Sequence, residues 1–222
     1  MRNKYRLTFT KTGIIRYLGH NDLMRMMYKA IKRSGLPISY SKGFNPHQLA
    51  SISVPLPLGA EGLAEYMDIE LDTPSIAEDI ISALNQVLPD GLTITASVPF
   101  PETEPSTAAK ACSAKYIAAL PENKVLRESL DSLLPAILES DEVIVNKRTK
   151  SGEAITNIRS DIFSLENISD EQIKISMLIS TGSTKNIKPE LVTGYIYSLA
   201  GIDFPEFEIT YTRTRILLRE DI

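Results

Sequence analysis

RYLGHNDLMRMMYKAIKRSGLPISYSKGFNPHQ, residues 16–48, is the stretch around which the first half of this chain is arranged. Its first part places apolar residues at the i, i+4, i+7 and i+8 spacing of one helix face and cations on the opposite side. The spacing predicts an amphipathic helix with one face against a sheet and the other in solvent. The apolar face consists of Leu23, Met27, Ala30 and Ile31. The basic face consists of Arg25, Lys29, Lys32 and Arg33.

Short polar residues and glycine set the predicted limits of this helix. Asn21 or Asp22 is expected to cap its start, because a side-chain oxygen at that position accepts a hydrogen bond from a free backbone N–H. Asp22 can also pair with His20 or Arg25, but capping is its expected role. Gly35 predicts the end of the helix.

The loop that follows, residues 41–47 (SKGFNPH), has the composition of an ordered turn rather than of a core segment. Gly43 permits a positive φ, and an asparagine before proline is pushed out of the helical region. Phe44 lies among polar residues, so we expect it to stack on a base while Lys42 and His47 hold the backbone. The alternative is that Phe44 folds back and fills the junction between helix and sheet.

Segments flanking this stretch alternate apolar and polar residues, as half-buried strands do. Strands are predicted over residues 4–10, 49–56, 64–71 and 92–98, with a second helix over 75–88. The order is then β-α-β-β-α-β, which is the ferredoxin-like motif.

The same order of elements recurs in the second half, although residue identities do not repeat. Pro135 is expected to break or kink the last turn of the first helix there. Strands are predicted over 114–120, 141–147, 154–159, 173–179 and 207–218, helices over 124–139 and 189–200, and an extra strand or arm over 162–165.

The predicted fold class is α+β, with two tandem ferredoxin-like domains built on antiparallel sheets by tandem duplication. The first domain is expected to span residues 1–100 and the second 113–222. Residues 101–112, rich in proline and without periodicity, are predicted to be the linker.

Charge is distributed unevenly along the chain. Residues 1–50 contain ten Lys and Arg against one acid, Asp22, whereas the whole chain has a net charge of −4. Such a cationic region is typical of a surface that meets an anionic partner, and phosphates of RNA are the partner we expect. The alternative is a solvated outer helix face.

Two further groups bear on this hypothesis. His20 and His47 are candidates for general acid–base cleavage of RNA, because histidine can donate or accept a proton near neutral pH. Asp22 is a third candidate catalytic residue. Basic residues of the second half (Lys147, Arg148, Lys150, Arg159, Arg213, Arg215, Arg219) could widen an anion-binding cleft between the halves. The residues expected to contact nucleic acid are Arg16, Arg25, Lys29, Lys32, Arg33, Lys42, Phe44, Asn45, His47, Arg148 and Lys150.

Several classes of protein are excluded or disfavoured by composition. A single cysteine, Cys112, excludes an internal disulfide framework and a metal or iron–sulfur cage made of cysteines from one chain. Two histidines make a zinc site improbable, and none is predicted. No apolar run of 18 residues is present, so we expect a cytoplasmic protein without a membrane partner. Nucleotide-binding and hydrolase signature motifs are also missing.

Residues 16–71 resemble the radical-SAM-associated family, a domain of unknown function found alone or attached to radical SAM proteins with a cobalamin-binding-type domain. The motifs that carry the resemblance are HNDL at 20–23, SKGFNPH at 41–47 and PLPLG at 55–59. Looser matches lie at 147–152 and 212–214. The resemblance covers essentially the whole chain and is strongest in the first half.

This resemblance implies a radical SAM protein as partner and points toward RNA, but it supplies no established activity. The chain lacks a three-cysteine cluster motif, so S-adenosylmethionine and an iron–sulfur cluster are expected in the partner and no cofactor in this chain. The leading hypothesis is an RNA-binding accessory protein that presents tRNA or rRNA to that partner, without catalytic activity of its own; DNA is not expected. The alternatives are a metal-independent ribonuclease or RNA-modifying enzyme using His20 and His47, and a protein-interaction module that docks the partner.

Overall fold

The computed structural model describes residues 3–149, 152–182 and 185–221, and it confirms the α+β class. Contacts divide the chain into two units. The first is Met1–Ala111 together with Leu218–Ile222, and the second is Cys112–Leu217. The chain therefore leaves the first unit after Ala111 and returns to it near the end.

In the first unit the element order is β-α-β-β-α-β, as the sequence predicts, followed by one helical turn. The elements are β1 (Asn3–Lys11), α1 (His20–Ser34), β2 (Ala50–Ile52), β3 (Glu61–Leu71), α2 (Ala77–Asn85), β4 (Leu92–Phe100) and α3 (Thr107–Lys110). The strands lie in the order β4-β1-β3-β2, and all three neighbouring pairs are antiparallel.

The core of this unit lies between one face of the sheet and the two longer helices. Alternation along β1 buries Tyr5, Leu7 and Phe9 on that face. The predicted apolar face of α1 is confirmed, since its four residues are buried in the structure. Lys4 and Arg6 alternate with the core residues and therefore lie on the opposite, open face of the sheet.

Among the predicted boundaries that differ from the structure, two lie next to the basic helix. Helix α1 begins at His20 with Gly19 as its N-cap, so neither Asn21 nor Asp22 caps it. Its end is as predicted, because Gly35 adopts a left-handed conformation with φ of 75°. The strand predicted over 49–56 is shortened to β2, and prolines at 55 and 57 could not extend its pairing because they have no N–H to donate to a neighbouring strand.

In the second unit the sheet order is β10-β5-β9-β8, and a hairpin forms separately. The elements are β5 (Ala111–Leu120), α4 (Lys124–Glu139), β6 (Ile144–Thr149), β7 (Gly152–Asn157), β8 (Ile162–Asn167), β9 (Ile173–Ser180), α5 (Pro189–Ala200) and β10 (Thr210–Leu218). The hairpin consists of β6 and β7, which pair only with each other in the described part of the chain.

This pairing corrects the prediction for the second half. The segment predicted as an extra strand or arm, 162–165, is a strand: it belongs to β8, which pairs antiparallel with β9 at the edge of the sheet. The hairpin is the additional feature. Neither segment has a regular alternation of apolar and polar residues, so nothing in the sequence specifies which of them pairs with β9.

Pro135 was expected to break or kink the last turn of its helix, but α4 is unbroken over the predicted range, Lys124–Glu139. The proline lies on the exposed side, while Leu130, Leu134 and Ile137 are buried. Packing of the buried face thus sustains the helix past a residue that cannot donate an intrahelical hydrogen bond.

Among the described residues, no helix combines the length and the apolar composition that crossing a membrane would need. The same residues contain no group of three or more His, Cys, Asp or Glu side chains arranged to hold a metal ion.

Candidate nucleic-acid interface

Four exposed cations lie on the solvent side of α1, as predicted, and we call Arg25, Lys29, Lys32 and Arg33 the α1 basic face. Three of them, Arg25, Lys29 and Arg33, follow one another at intervals of four residues and line one edge of a groove. The groove has a volume of about 540 Å³. Its other lining residues include Leu18, Met26, Val87 and Leu88. The α1 basic face therefore borders a partly apolar groove rather than a flat surface.

The cations of this face differ in how far they are free to bind. Asp22 does not cap the helix; its carboxylate pairs with the Arg25 guanidinium at 2.9 Å. Arg33 donates one hydrogen bond to the Val87 carbonyl, also at 2.9 Å. In the described part of the chain, no hydrogen bond or ion pair engages the ammonium groups of Lys29 and Lys32. These two lysines are the most available cations of the helix.

Several of the other early cations are already engaged inside the first unit. The Lys11 side chain is buried, with 1% of its surface exposed, and its ammonium donates to the carbonyls of Arg16 and Leu18 at 3.2 and 2.8 Å. Lys4 lies 3.7 Å from the Glu70 carboxylate. Arg6 pairs with carboxylates on two sides. The cationic surface is accordingly smaller than the charge count implies.

Arg16, a predicted phosphate contact, is also engaged. It lies in a 3₁₀ turn, 3.8 Å from Glu61, and it donates a hydrogen bond to the Tyr17 hydroxyl at 2.9 Å. Its guanidinium also packs over the Tyr17 ring, 4.9 Å from the ring centroid. Using Arg16 for a phosphate would require these contacts to be shared.

The loop Ser41–His47, which we call the GFNPH loop, is closed at its base. The Ser41 N–H donates to the His47 carbonyl at 2.8 Å, and the His47 N–H donates to the Ser41 hydroxyl at 3.1 Å. That hydroxyl also lies 2.8 Å from His47 Nδ1. Since the hydroxyl oxygen already accepts from the backbone, its own hydrogen is free to donate to Nδ1.

At the tip of this loop the Phe44 ring is fully exposed, with a relative exposure of 106%. Gly43 supplies the turn with a φ of 129°, a conformation that side-chain-bearing residues rarely adopt. Lys42 and Asn45 are exposed on either side. The alternative in which Phe44 fills the junction between helix and sheet is therefore wrong.

The two histidines line different cavities. His47 lines one of about 270 Å³ bordered by Lys4 and Phe100. His20 lines another of about 410 Å³ beside Tyr28 of α1. The described structure shows no hydrogen bond between the two imidazoles, and it brings neither Asp22 nor any other carboxylate against His20.

Second-half cations are mostly engaged inside their own unit. Lys147 donates to the Asn186 carbonyl at 2.9 Å, Arg159 donates to the carbonyls of Ile162 and Leu138, and Arg213 is fully buried beside Tyr116. Two predicted contacts, the side chain of Arg148 and the whole of Lys150, lie outside what the structure describes. Lys147, Arg159 and Arg213 thus add little to the basic surface.

One feature of this surface was missed by sequence reasoning. Residues 101–110, predicted as linker, run across the open face of the first sheet, and we call them the crossing segment. The Arg6 guanidinium pairs with the Asp68 carboxylate at 3.1 Å and with the Glu104 carboxylate at 2.9 Å. Thr107 donates hydrogen bonds to Asp68 through both its N–H and its hydroxyl. Outward charges on β1 and β3 were visible in the sequence, but their partner in a proline-rich stretch was not.

The far end of the crossing segment is held by Lys110, which pairs with Glu104 at 2.7 Å and also with Glu220. Hydrogen bonds from Lys110 and then Arg6 lower the pKa of the Glu104 carboxyl below its ordinary value. The hydrogen bonds that Lys110 donates to Glu104 and Glu220 raise the pKa of its ammonium group. The network therefore stays ionised around neutral pH.

A family model described as "Uncharacterized protein conserved in bacteria (DUF2344)" matches residues 4–189. The chain belongs to this family. In this DUF2344 protein the matched range includes the α1 basic face, the GFNPH loop and the crossing segment. Nothing in the family description assigns them a role.

Other comparisons add little. No curated protein matches the chain. Among solved structures, an unknown protein from Galdieria sulphuraria is similar at 11% identity and a TM-score of 0.27, covering 98% of this chain and 100% of its own. A protein described provisionally as a glycine cleavage system transcriptional repressor is similar at 12% identity and a TM-score of 0.26, covering 98% and 99%. At these scores neither likeness bears on fold or function.

Proposed function

We propose that this DUF2344 protein binds RNA through the α1 basic face and the GFNPH loop. Lys29, Lys32, Arg33 and Lys42 would contact phosphates, and Phe44 would stack on an unpaired base. The observation that carries the proposal is the fully exposed Phe44 ring at the tip of a loop that is closed at its base and flanked by Lys42.

An exposed aromatic ring in a polar, ordered loop suits single-stranded nucleic acid. Every unpaired base offers a π-face, and stacking on an aromatic side chain contributes about 1–3 kcal/mol per base. RNA presents such bases in loops and bulges, whereas in duplex DNA the bases are already stacked. These features support RNA as the polyanion.

The open face of the first sheet is a poor alternative site. In one common class of RNA-binding domain, aromatic residues on a four-stranded sheet stack the bases. Here Arg6 and Asp68 occupy that face in an ion pair, and the crossing segment lies over them. Binding by the helix and loop is therefore the mode that we propose.

The architecture behind this mode is, in our proposal, a pair of ferredoxin-like domains that arose by duplication. The strand order β4-β1-β3-β2 in the first unit and β10-β5-β9-β8 in the second supports this, because corresponding strands occupy corresponding places. The hairpin of the second unit would then be an insertion.

In the cell we propose an accessory role, in which the protein presents tRNA or rRNA to a radical SAM enzyme that supplies the cofactors. The support is the sequence resemblance at residues 20–23, 41–47 and 55–59. Affinity purification of the chain tests this role: a radical SAM protein should co-purify, and ribonuclease treatment should weaken the association. Association that ignores ribonuclease would favour the pure protein-interaction module.

RNA binding is tested by titrating bulk tRNA and following fluorescence anisotropy over a range of salt concentrations. Affinity should fall steeply with salt, because cations that neutralise phosphates release counterions. Replacing two phosphate contacts in Lys29→Ala/Lys32→Ala should reduce the slope of log K against log salt by about 1.4–1.8. Lys124→Ala/Lys188→Ala, which removes two exposed cations from the second unit, is the matched control and should change little.

Stacking is tested separately at Phe44. Phe44→Ala should weaken binding about 5- to 150-fold, the range that corresponds to loss of one stacked base, with no change in the salt slope. Phe44→Leu keeps an apolar side chain without a π-face and should behave like the alanine variant, whereas Phe44→Tyr should bind normally. Absent or salt-insensitive binding by the wild type would overturn the proposed function.

A further inference from the structure

A cavity in the second unit lies between the hairpin strand β6 and the helix α5, and we call it the α5 cavity. It is open to solvent, and its volume is about 290 Å³. That is just below the range of about 300–1,000 Å³ typical of small-molecule sites, so it suits a short ligand or a single side chain. The lining residues that matter here are Val145, Glu190, Leu191, Gly194, Tyr195 and Phe204.

Among the described residues that line the α5 cavity, Glu190 is the one that carries a charge. It is half-buried, in the first turn of α5, and no other described residue forms a hydrogen bond or an ion pair with its carboxylate. One carboxylate oxygen, Oε2, is sealed from solvent, whereas Oε1 is not and can be reached from the cavity. A partly desolvated carboxylate without a cationic partner is unfavourable, so the site is prepared for a cation that the protein does not provide.

Neighbouring charges do not compensate this carboxylate. Burial raises the pKa of the Glu190 carboxyl above its ordinary value, Lys188 opposes the rise and Glu206 adds to it. Lys188 is exposed, and in the described structure it forms no ion pair with Glu190. The N-terminal end of α5 favours a carboxylate in its first turn, but the raised pKa means that burial outweighs this effect. A bound cation would supply the missing counter-charge.

The other walls favour a cation on an alkyl stem rather than a bare metal ion. Val145 and Leu191 offer aliphatic surface, on which an alkyl chain packs. Tyr195 and Phe204 offer aromatic rings, whose faces attract a cation within about 6 Å. Phe204 is held by an edge contact with the Tyr197 ring, with centroids 5.6 Å apart. A hard metal ion would require several oxygen ligands, whereas the walls supply one carboxylate.

We propose that the α5 cavity binds an alkylammonium group, with its charge at the Glu190 carboxylate and its alkyl stem against Val145 and Leu191. Such a group comes either from a free aliphatic amine or from a lysine side chain of a protein. The inference goes beyond the proposed RNA binding and does not depend on it. The ligand has the opposite charge to a phosphate, and every residue that lines the cavity belongs to the second unit.

The first test compares two small ligands that share an alkyl chain and differ in charge. Butylammonium chloride and 1-butanol are each titrated into the isotope-labelled full-length protein at constant ionic strength, and amide chemical shifts are followed by NMR. Butylammonium should give saturable shifts at Gly194, Tyr195 and β6. It should bind at least about tenfold more tightly than the alcohol, because its hydrogen bond to the carboxylate joins opposite charges. This comparison needs no variant and so does not depend on how a substitution folds.

Glu190→Gln keeps the shape of the side chain and removes its charge. It should reduce the affinity for butylammonium to that for 1-butanol, and folding should be preserved because the lost charge has no cationic partner. Glu139→Gln is the matched control, since Glu139 is an exposed carboxylate at the end of α4 in the same unit. Equal affinity for the two ligands, no saturable shifts, or unchanged butylammonium affinity in Glu190→Gln would each overturn the inference.

Two further ligands distinguish the sources of the ammonium group. Putrescine represents free aliphatic amines, and Nα-acetyl-lysine methylamide represents a lysine within a protein. Tighter binding of putrescine would support a free amine, tighter binding of the lysine derivative would support a protein partner, and binding of neither would contradict the inference. These titrations contain no RNA, so their failure would leave tRNA binding by the α1 basic face intact, and failure of tRNA binding would leave the α5 cavity intact.

Discussion

At the scale of single residues, the partner of each charge determines how much cationic surface the protein presents. Asp22 is the clearest case, because the sequence predicts a helix cap and the structure shows an ion pair with Arg25. Both side chains are mostly exposed, at 60% and 73%, so the pair contributes little to stability. Its main effect is to occupy one cation of the α1 basic face.

Asp22→Asn should therefore tighten tRNA binding, by up to about fivefold, because Arg25 becomes available to phosphates. The free energy of unfolding should fall by less than about 1 kcal/mol, since an acid in the first turn also interacts favourably with the helix dipole. Anisotropy titration and urea denaturation measure the two effects. Asp79→Asn, in the first turn of α2, makes the same change away from any basic face; equal tightening in both variants would contradict the argument.

At the scale of elements, the crossing segment is the part whose stability should respond to pH. The Glu104 pKa is lowered in the folded protein by Lys110 and Arg6. Its stabilising contribution is therefore complete above the ordinary carboxyl pKa and is lost as the pH falls through the lowered value. The raised pKa of Lys110 means that its own contribution is lost only in alkali.

Glu104→Gln should accordingly destabilise the protein at pH 7, and its difference from the wild type should close as the pH falls below the ordinary pKa of a carboxyl group. Urea denaturation at a series of pH values measures this difference directly. Glu142→Gln removes an exposed loop carboxylate and should show no comparable pH-dependent gap. A gap between wild type and Glu104→Gln that persists in acid would show that packing, not charge, holds the crossing segment.

The helices and strands also show which features hydrophobic periodicity can predict and which it cannot. The apolar stripe of α1 and the alternation in β1 identify buried faces correctly, because one contiguous pattern specifies each face. Periodicity did not distinguish the β6–β7 hairpin from β8, since pairing depends on a distant strand. The charge count includes Lys11, although the alternation of β1 places this residue on the buried face, where its ammonium donates to the carbonyls of Arg16 and Leu18.

At the scale of the whole molecule, charge count and charge availability differ. The first 50 residues have a strong positive excess, yet carboxylates further along the chain pair with Lys4, Arg6 and Arg16. The sequence shows the excess but cannot show these partners, because each is separated by 40 residues or more from its cation. What remains available is concentrated on α1 and the GFNPH loop.

Hydrogen exchange with mass spectrometry should therefore localise bound tRNA to one part of the chain. Peptides covering residues 20–48 should become protected at low salt, and those covering 152–182 should not. The reason is that Arg159 and Lys174, the two cations in that range, already have internal partners. Protection of both regions would contradict this assignment.

The exposure of Phe44 gives the chain a built-in place for an optical reporter. The protein contains no tryptophan, so Phe44→Trp would install a single indole emitter at the loop tip, surrounded by water. Its fluorescence would be quenched and shifted when a ring stacks against it, and unchanged when an anion merely approaches the helix. The emission thus distinguishes contact at the loop from attraction to the helix.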